Sequence, residues 1–130
     1  MISQETLKKV LVEYQQFLAT VELHERAYAF EPKGNYVMVG VRHAGKSYLL
    51  YQRAKQLMAD GHRAEEMCYV NFDDERLAGM KADELDGILT AYRSLFDTTP
   101  ILFFDEIQNV EGWERFARRL ANEKYRVFIT

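Results

Sequence analysis

Eight consecutive residues, Gly40-Val41-Arg42-His43-Ala44-Gly45-Lys46-Ser47, satisfy the spacing G-x-x-x-x-G-K-[ST] at every fixed position. Glycines let a backbone wind tightly, so that several N–H groups converge on anionic oxygens. A helix that starts at the end of such a loop adds its positive N-terminal pole. Lys46 then brings a cation to the β- and γ-phosphates of a nucleotide, and the Ser47 hydroxyl is an oxygen ligand for Mg2+. The pattern fixes four positions, so a chance match in a chain of this size is on the order of one in a few hundred. The expected nucleotide-contacting stretch is Gly40, Val41, Arg42, His43, Ala44, Gly45, Lys46, Ser47 and Tyr48.

A second constellation lies further along. Ile101-Leu102-Phe103-Phe104 is a continuous apolar run that ends in two carboxylates, Asp105-Glu106. A buried strand ending this way carries both acids to one edge of a sheet. Asp105 is expected to hold Mg2+ together with Ser47, directly or through water. Glu106 is expected to take a proton from an attacking water, with Lys46 as the second catalytic group. An apolar run ending in acids is weak evidence alone and becomes strong when a phosphate loop precedes it.

Both constellations need elements to position them. Ser3 caps a helix over about residues 4–22, whose apolar face is Leu7, Val10, Leu11, Tyr14, Phe17, Leu18 and Val21. Pro32-Lys33-Gly34-Asn35 is turn chemistry, followed by a short buried strand, Tyr36-Val37-Met38-Val39-Gly40. A helix is expected from Lys46 to Asp60, stopped at Gly61, and a strand from Met67 to Phe72. A helix over about 83–96, a strand at 101–105, a helix opened by Trp113 and a strand at 126–130 complete the chain. Continuous apolar strands alternating with helices imply a parallel sheet covered on both faces. In such sheets ligands bind beyond the carboxyl ends of the strands, where both constellations would lie. The fold class is therefore α/β, three-layered, with a parallel sheet of about four strands.

Composition excludes several alternatives. The chain has 130 residues, 48% of them hydrophobic and 28% charged, which suits one globular domain. With 17 Lys and Arg against 20 Asp and Glu, the net charge of −3 does not indicate a nucleic-acid partner. One cysteine, Cys68, excludes an intramolecular disulfide framework and a multi-cysteine metal site. The longest apolar run is far shorter than the ~20 residues a membrane helix needs. MISQETLKKV lacks the layout of a secretory signal, so a cytoplasmic location is expected.

These residues resemble the AAA-like ATPases among the phosphate-loop NTPases, in the division with an additional strand and a catalytic glutamate. More closely, they resemble a bacterial and archaeal ATP-binding family with a G-x-R-x-x-G-K loop and a D-E-I-Q motif. Its members usually continue into a C-terminal domain of unknown function. The matching residues are Gly40–Ser47, Tyr69-Val70-Asn71-Phe72-Asp73-Asp74, Asp105-Glu106-Ile107-Gln108-Asn109-Val110, Trp113-Glu114 and Val127-Phe128-Ile129-Thr130. The family loop usually begins Gly-Pro-Arg-Arg, where this chain has Gly40-Val41-Arg42-His43. The resemblance implies a phosphate-loop NTPase fold with sheet order 5-1-4-3-2, of which this chain would hold 1-4-3-2. The fifth strand, the lid and a polar sensor residue beyond Thr130 are then missing. The chain is accordingly expected to be an N-terminal fragment, with the helix in residues 1–24 and the phosphate-loop core in 36–130. Adenine over guanine also rests on the resemblance, as does the expectation of a homo-oligomer or a C-terminal partner domain.

Other residues carry two readings each. Arg42 contacts a phosphate or a partner subunit, or simply faces solvent. His24, His43 and His62 lack metal-ligand spacing. Asp73 and Asp74 suit a turn better than a metal shell, and Gln108 and Asn109 suit turn hydrogen bonding or coupling to a partner domain. Arg115, Arg118 and Arg119 suit a solvated helix face better than an arginine finger. Cys68 reads as inert core, and the first helix as core packing rather than a partner-binding face. The leading function is Mg-ATP binding and hydrolysis. A nucleotide-dependent switch with little turnover is the alternative, followed by a small-molecule kinase and a nucleic-acid motor.

Overall fold

The outermost strand of a sheet exposes a row of unpaired backbone groups, and here a helix is laid along that edge. The computed structural model describes residues 1–22, 36–37 and 43–130, with the backbone alone at 36–37 and 43–45. Helix α1 (Gln4–Thr20) starts at Ser3, whose hydroxyl accepts a hydrogen bond from the Thr6 N–H at 3.1 Å. Leu7, Val10, Leu11 and Leu18 are buried at helical spacing, so the apolar stripe packs into the core. The helix stops at Thr20, two residues before the expected end, because Val21 turns extended with φ −65° and ψ 135°.

Strands β2 (Met67–Asn71) and β3 (Ile101–Asp105) pair in parallel, with Tyr69 opposite Phe103 and Asn71 opposite Asp105. Strand β4 (Val127–Ile129) lies on the other side of β3, with Phe104 opposite Ile129. The two residues of β1 (Tyr36–Val37) align with β4, so the order is β1-β4-β3-β2. Every residue of β3 and β4 is buried, as expected for strands covered on both faces. The turn at 32–35 and the remainder of the first strand lie outside the described residues.

Helices α2 (His43–Ala59), α3 (Asp86–Leu95) and α4 (Trp113–Asn122) cover the sheet. Leu50, Ala54 and Leu57 of α2 pack on Tyr69, Phe103 and Phe128. On the opposite face Ile88 and Tyr92 of α3 and Phe116 and Leu120 of α4 meet Val70, Leu102 and Phe104. Helix α2 begins at His43, three residues before the expected start, so the loop's second half is already helical. It ends near the expected stop: Gly61 has φ 108°, and the His62 N–H closes back on the Leu57 carbonyl at 3.0 Å. Helix α3 starts later than expected because Ala82–Glu84 is a 3-10 turn.

Helix α1 contributes Leu7, Val10 and Leu11 to one core and Leu18 to the other, so it straddles the β2 edge. The buried Gln15 amide donates to the Met67 carbonyl on the β2 edge (3.0 Å) and to the Glu65 carbonyl just before it (3.2 Å), which also accepts from the Tyr92 hydroxyl at 2.6 Å. A polar strap adds to this. Asp74 caps the 3-10 turn Glu75–Leu77 and accepts from the Tyr14 hydroxyl at 3.1 Å and from Arg76 at 2.8 Å. Arg76 also pairs with Glu13 at 2.8 Å. Hydrogen bonding from Arg76 holds the Asp74 carboxyl down at about 2.

Replacing Asp74 with Asn is expected to destabilise the protein by about 1–2 kcal/mol, after allowance for partial solvent screening. Because folding depresses this acid, its charge-dependent stabilisation is full above the ordinary carboxylate value near 4. It disappears as pH falls from there to about 2. Chemical unfolding of both proteins at several pH values checks this, and a gap independent of pH would refute it.

Candidate nucleotide and metal site

Asp105 closes β3 and is fully buried, and Glu106 follows at 4% exposure. A buried carboxylate is costly unless its oxygens accept hydrogen bonds. Three hydroxyls supply them. Ser47 Oγ and Tyr69 Oη each lie 2.5 Å from Asp105 Oδ2, and Thr130 Oγ1 lies 2.5 Å from Oδ1. The three come from α2, from β2 and from the end of β4. Thr130 uses both sides of its hydroxyl: it donates to Asp105 and accepts from the Glu106 N–H at 3.1 Å. Its own N–H bonds the Phe104 carbonyl at 3.0 Å, so β4 delivers the hydroxyl to the acids through the ladder itself.

Glu106 has φ 58° and ψ 37°, a left-handed conformation that costs a non-glycine residue about 1–2 kcal/mol. The turn takes the chain out of the strand immediately after Asp105, into the 3-10 turn Ile107–Asn109. Within that turn the Gln108 amide donates to Glu106 Oε2 at 2.6 Å. Asn109 bonds the Phe72 carbonyl at 3.3 Å and Asp73 at 3.2 Å, tying the turn to the loop after β2.

Of the residues expected from sequence, Ser47, Asp105 and Glu106 come together at the carboxyl end of β3. Lys46, Ser47 and Tyr48 are half-buried in the first turns of α2. His43, Ala44 and Gly45 open that helix. Gly40, Val41 and Arg42 lie outside the described residues, as does His24. Asp73 and Asp74 serve turns: the Asp73 N–H bonds Asn71 Oδ1 at 2.9 Å, and Asp74 caps as above. His62 pairs with Glu66 at 3.2 Å. Arg119 pairs with Asp86 and lies over the Phe116 ring at 5.3 Å, while Arg115 and Arg118 are exposed. Burial pushes the Cys68 thiol up to about 12, so it behaves as core. A cleft of about 550 Å³ between the start of α1 and residues 79–87 involves none of these groups.

Two partners of Asp105 were not assigned from sequence. Thr130 carries a signal in hindsight, as the polar residue closing an apolar strand. Tyr69 carries none locally, since it alternates as an ordinary strand aromatic. Burial, and then the charge of Asp105, push its hydroxyl well above the usual tyrosine range, so it remains a donor.

The donor set suits a hard cation. The Ser47 hydroxyl oxygen, and the acceptor position of Asp105 Oδ1 beyond the one Thr130 takes, are the one or two oxygens that Mg2+ takes from protein when phosphates and water supply the rest. Among the described residues no helix is long and apolar enough to cross a membrane.

A sequence model described as an AAA domain matches residues 33–130. An uncharacterized protein of Methanocaldococcus jannaschii is 42% identical over 94 residues, covering 72% of this chain and 20% of its own length. An uncharacterized protein of Haemophilus influenzae is 32% identical over 85 residues, covering 65% of this chain and 21% of its own. The chain thus spans about a fifth of the length of these curated relatives. No solved structure matches it. Since the match extends from residue 33 to 130, over the strands and the acidic pair, the chain belongs to the AAA domain family.

Proposed function

We propose that this protein binds Mg-ATP and hydrolyses it, as an AAA-like phosphate-loop ATPase domain. The observation that carries the reading is the contact between Ser47 and Asp105, 58 residues apart in sequence and 2.5 Å apart in space. It joins the end of the loop motif to the acidic pair at one edge of a parallel sheet, where such ligands bind. The parallel sheet with helices packed on both faces supports it.

In this reading Gly40 to Tyr48 cradle the phosphates through backbone N–H groups and the N-terminal pole of α2. Lys46 places its ammonium on the β- and γ-phosphates. Ser47 and Asp105 hold Mg2+, which when bound neutralises charge on the phosphate oxygens. Glu106 accepts a proton from water. The N-terminal segment and the core form one ATP-binding domain, 1–130, of a longer protein. The short coverage of the relatives supports this, and a C-terminal domain or a second copy is the expected partner.

A second reading is a nucleotide-dependent switch with little turnover. It is favoured by the Gln108 bond to Glu106, which occupies one carboxylate oxygen of the base.

Calorimetric titration with ATP, ADP and GTP in Mg2+ tests the binding step. Adenine nucleotides are expected to bind in preference to GTP. Lys46→Ala should weaken them about tenfold or more, the value of a charge-assisted contact of about 1.5–3 kcal/mol. A folded protein that binds no nucleotide, or an alanine variant that binds equally well, would overturn the proposal.

A further inference from the structure

Tyr69 stands in the middle of β2, opposite Phe103, two residues short of the register position of Asp105. That offset is about 6–7 Å along the sheet, a gap that a tyrosine side chain spans. The ring is fully buried and packed between two others: Tyr14 at 4.9 Å between centroids and Tyr51 at 5.5 Å. The hydroxyl is thereby aimed along the sheet at Asp105 Oδ2. A hydroxyl has one proton to donate, and the 2.5 Å bond to Asp105 rather than the weak 3.5 Å contact with Tyr51 takes it.

Oδ2 already accepts from Ser47. A carboxylate oxygen offers about two acceptor positions, so the two donors saturate Oδ2 and stop the carboxylate from rotating. Thr130 fixes Oδ1 from the other side. On Oδ2 the other donor, Ser47, is half-buried at the start of α2. Tyr69 supplies the anchor that originates in the core.

We propose that Tyr69 is a positioning residue for the metal-binding carboxylate: acting through Asp105, it sets the affinity for Mg2+ in the nucleotide complex without touching metal or nucleotide. This rests on the proposed role of Ser47 and Asp105 as metal holders. A tyrosine that merely fills the core would find any acceptor for its hydroxyl and would affect stability alone.

The test is Tyr69→Phe, with Tyr51→Phe as the control. ADP binding is measured by calorimetry in EDTA and across a Mg2+ series. Loss of a partner that orients a metal ligand typically weakens metal binding 10- to 100-fold. The Mg2+ midpoint is therefore expected to rise about tenfold in Tyr69→Phe, with metal-free ADP affinity within about twofold and Tyr51→Phe unchanged. An unchanged Mg2+ midpoint in a folded Tyr69→Phe would overturn the proposal. Should that variant not fold, wild-type protein labelled at tyrosine Cζ supplies the answer by NMR. Asp105→Asn identifies the Tyr69 signal, which must move when Mg2+ is added to the ADP complex; a stationary signal overturns the proposal. Wild-type protein that binds ADP with no Mg2+ dependence, or that binds no nucleotide, would instead remove the metal-site reading itself.

Discussion

Glu106→Gln is expected to lower ATP turnover by about 10²–10⁴-fold while nucleotide affinity stays within about twofold. The substitution keeps size and reach and removes the negative charge together with the ability to take a proton. The left-handed backbone at Glu106 is held by its N–H on Thr130, and the following turn by Asn109 on the loop after β2. Neither contact uses the Glu106 side chain. The Gln108 amide, 2.6 Å from the carboxylate, can donate equally well to the carbonyl of a glutamine. A drop in turnover accordingly reports chemistry rather than a collapsed turn. Phosphate release at saturating Mg-ATP, beside calorimetric binding, makes the measurement. Turnover that is negligible in both proteins with binding intact would move the assignment to the nucleotide-dependent switch. Equal and substantial turnover in both would remove Glu106 as the base.

The positions of the acids were legible in sequence because a buried parallel strand has few ways to end. Four apolar residues followed by Asp105-Glu106 imply burial on both faces and acids at the carboxyl edge, and β3 closes at Asp105. The contact with Ser47 follows once both constellations share that edge. The side-chain partners were less legible for a physical reason. Tyr69 reaches Asp105 through strand register and the length of its side chain, and neither is written in local periodicity. Thr130 reaches Asp105 through the register of β4 on β3, which an expected strand order does not specify. Boundaries slipped where hydrogen-bond geometry rather than hydrophobic spacing decides them. The 3-10 turn at Ala82–Glu84 carries the same residues that an α-helical first turn would. The role of Gln15 escaped for a related reason: a polar residue on an apolar stripe reads as an interruption, whereas here it is what the β2 edge requires.

Leu11→Ala is expected to cost about 2–5 kcal/mol, a large share of the about 5–15 kcal/mol that holds a domain of this kind folded. Leu11 is fully buried, one turn from Leu7 and one turn before Gln15, on the face of α1 that packs toward β2 and α3. Truncation removes buried methyl groups and leaves a cavity that the sheet on one side and the Gln15 hydrogen bonds on the other keep from collapsing. Gln16→Ala, on the exposed side of the same helix, should stay within about 0.5 kcal/mol. Urea unfolding distinguishes the outcomes, through a lowered midpoint at unchanged slope for Leu11→Ala alone. The result bears on where the domain begins. The family match starts at residue 33, beyond the end of α1 at Thr20. Matched residues alone would leave β2 as an open edge, yet α1 covers that edge with apolar side chains from both cores and bonds its Met67 carbonyl through Gln15. A partner-docking helix would tolerate Leu11→Ala with a loss below about 1 kcal/mol. The larger loss would make α1 part of the same cooperative unit as the acidic pair, coupled to it through the Tyr14–Tyr69 ring contact.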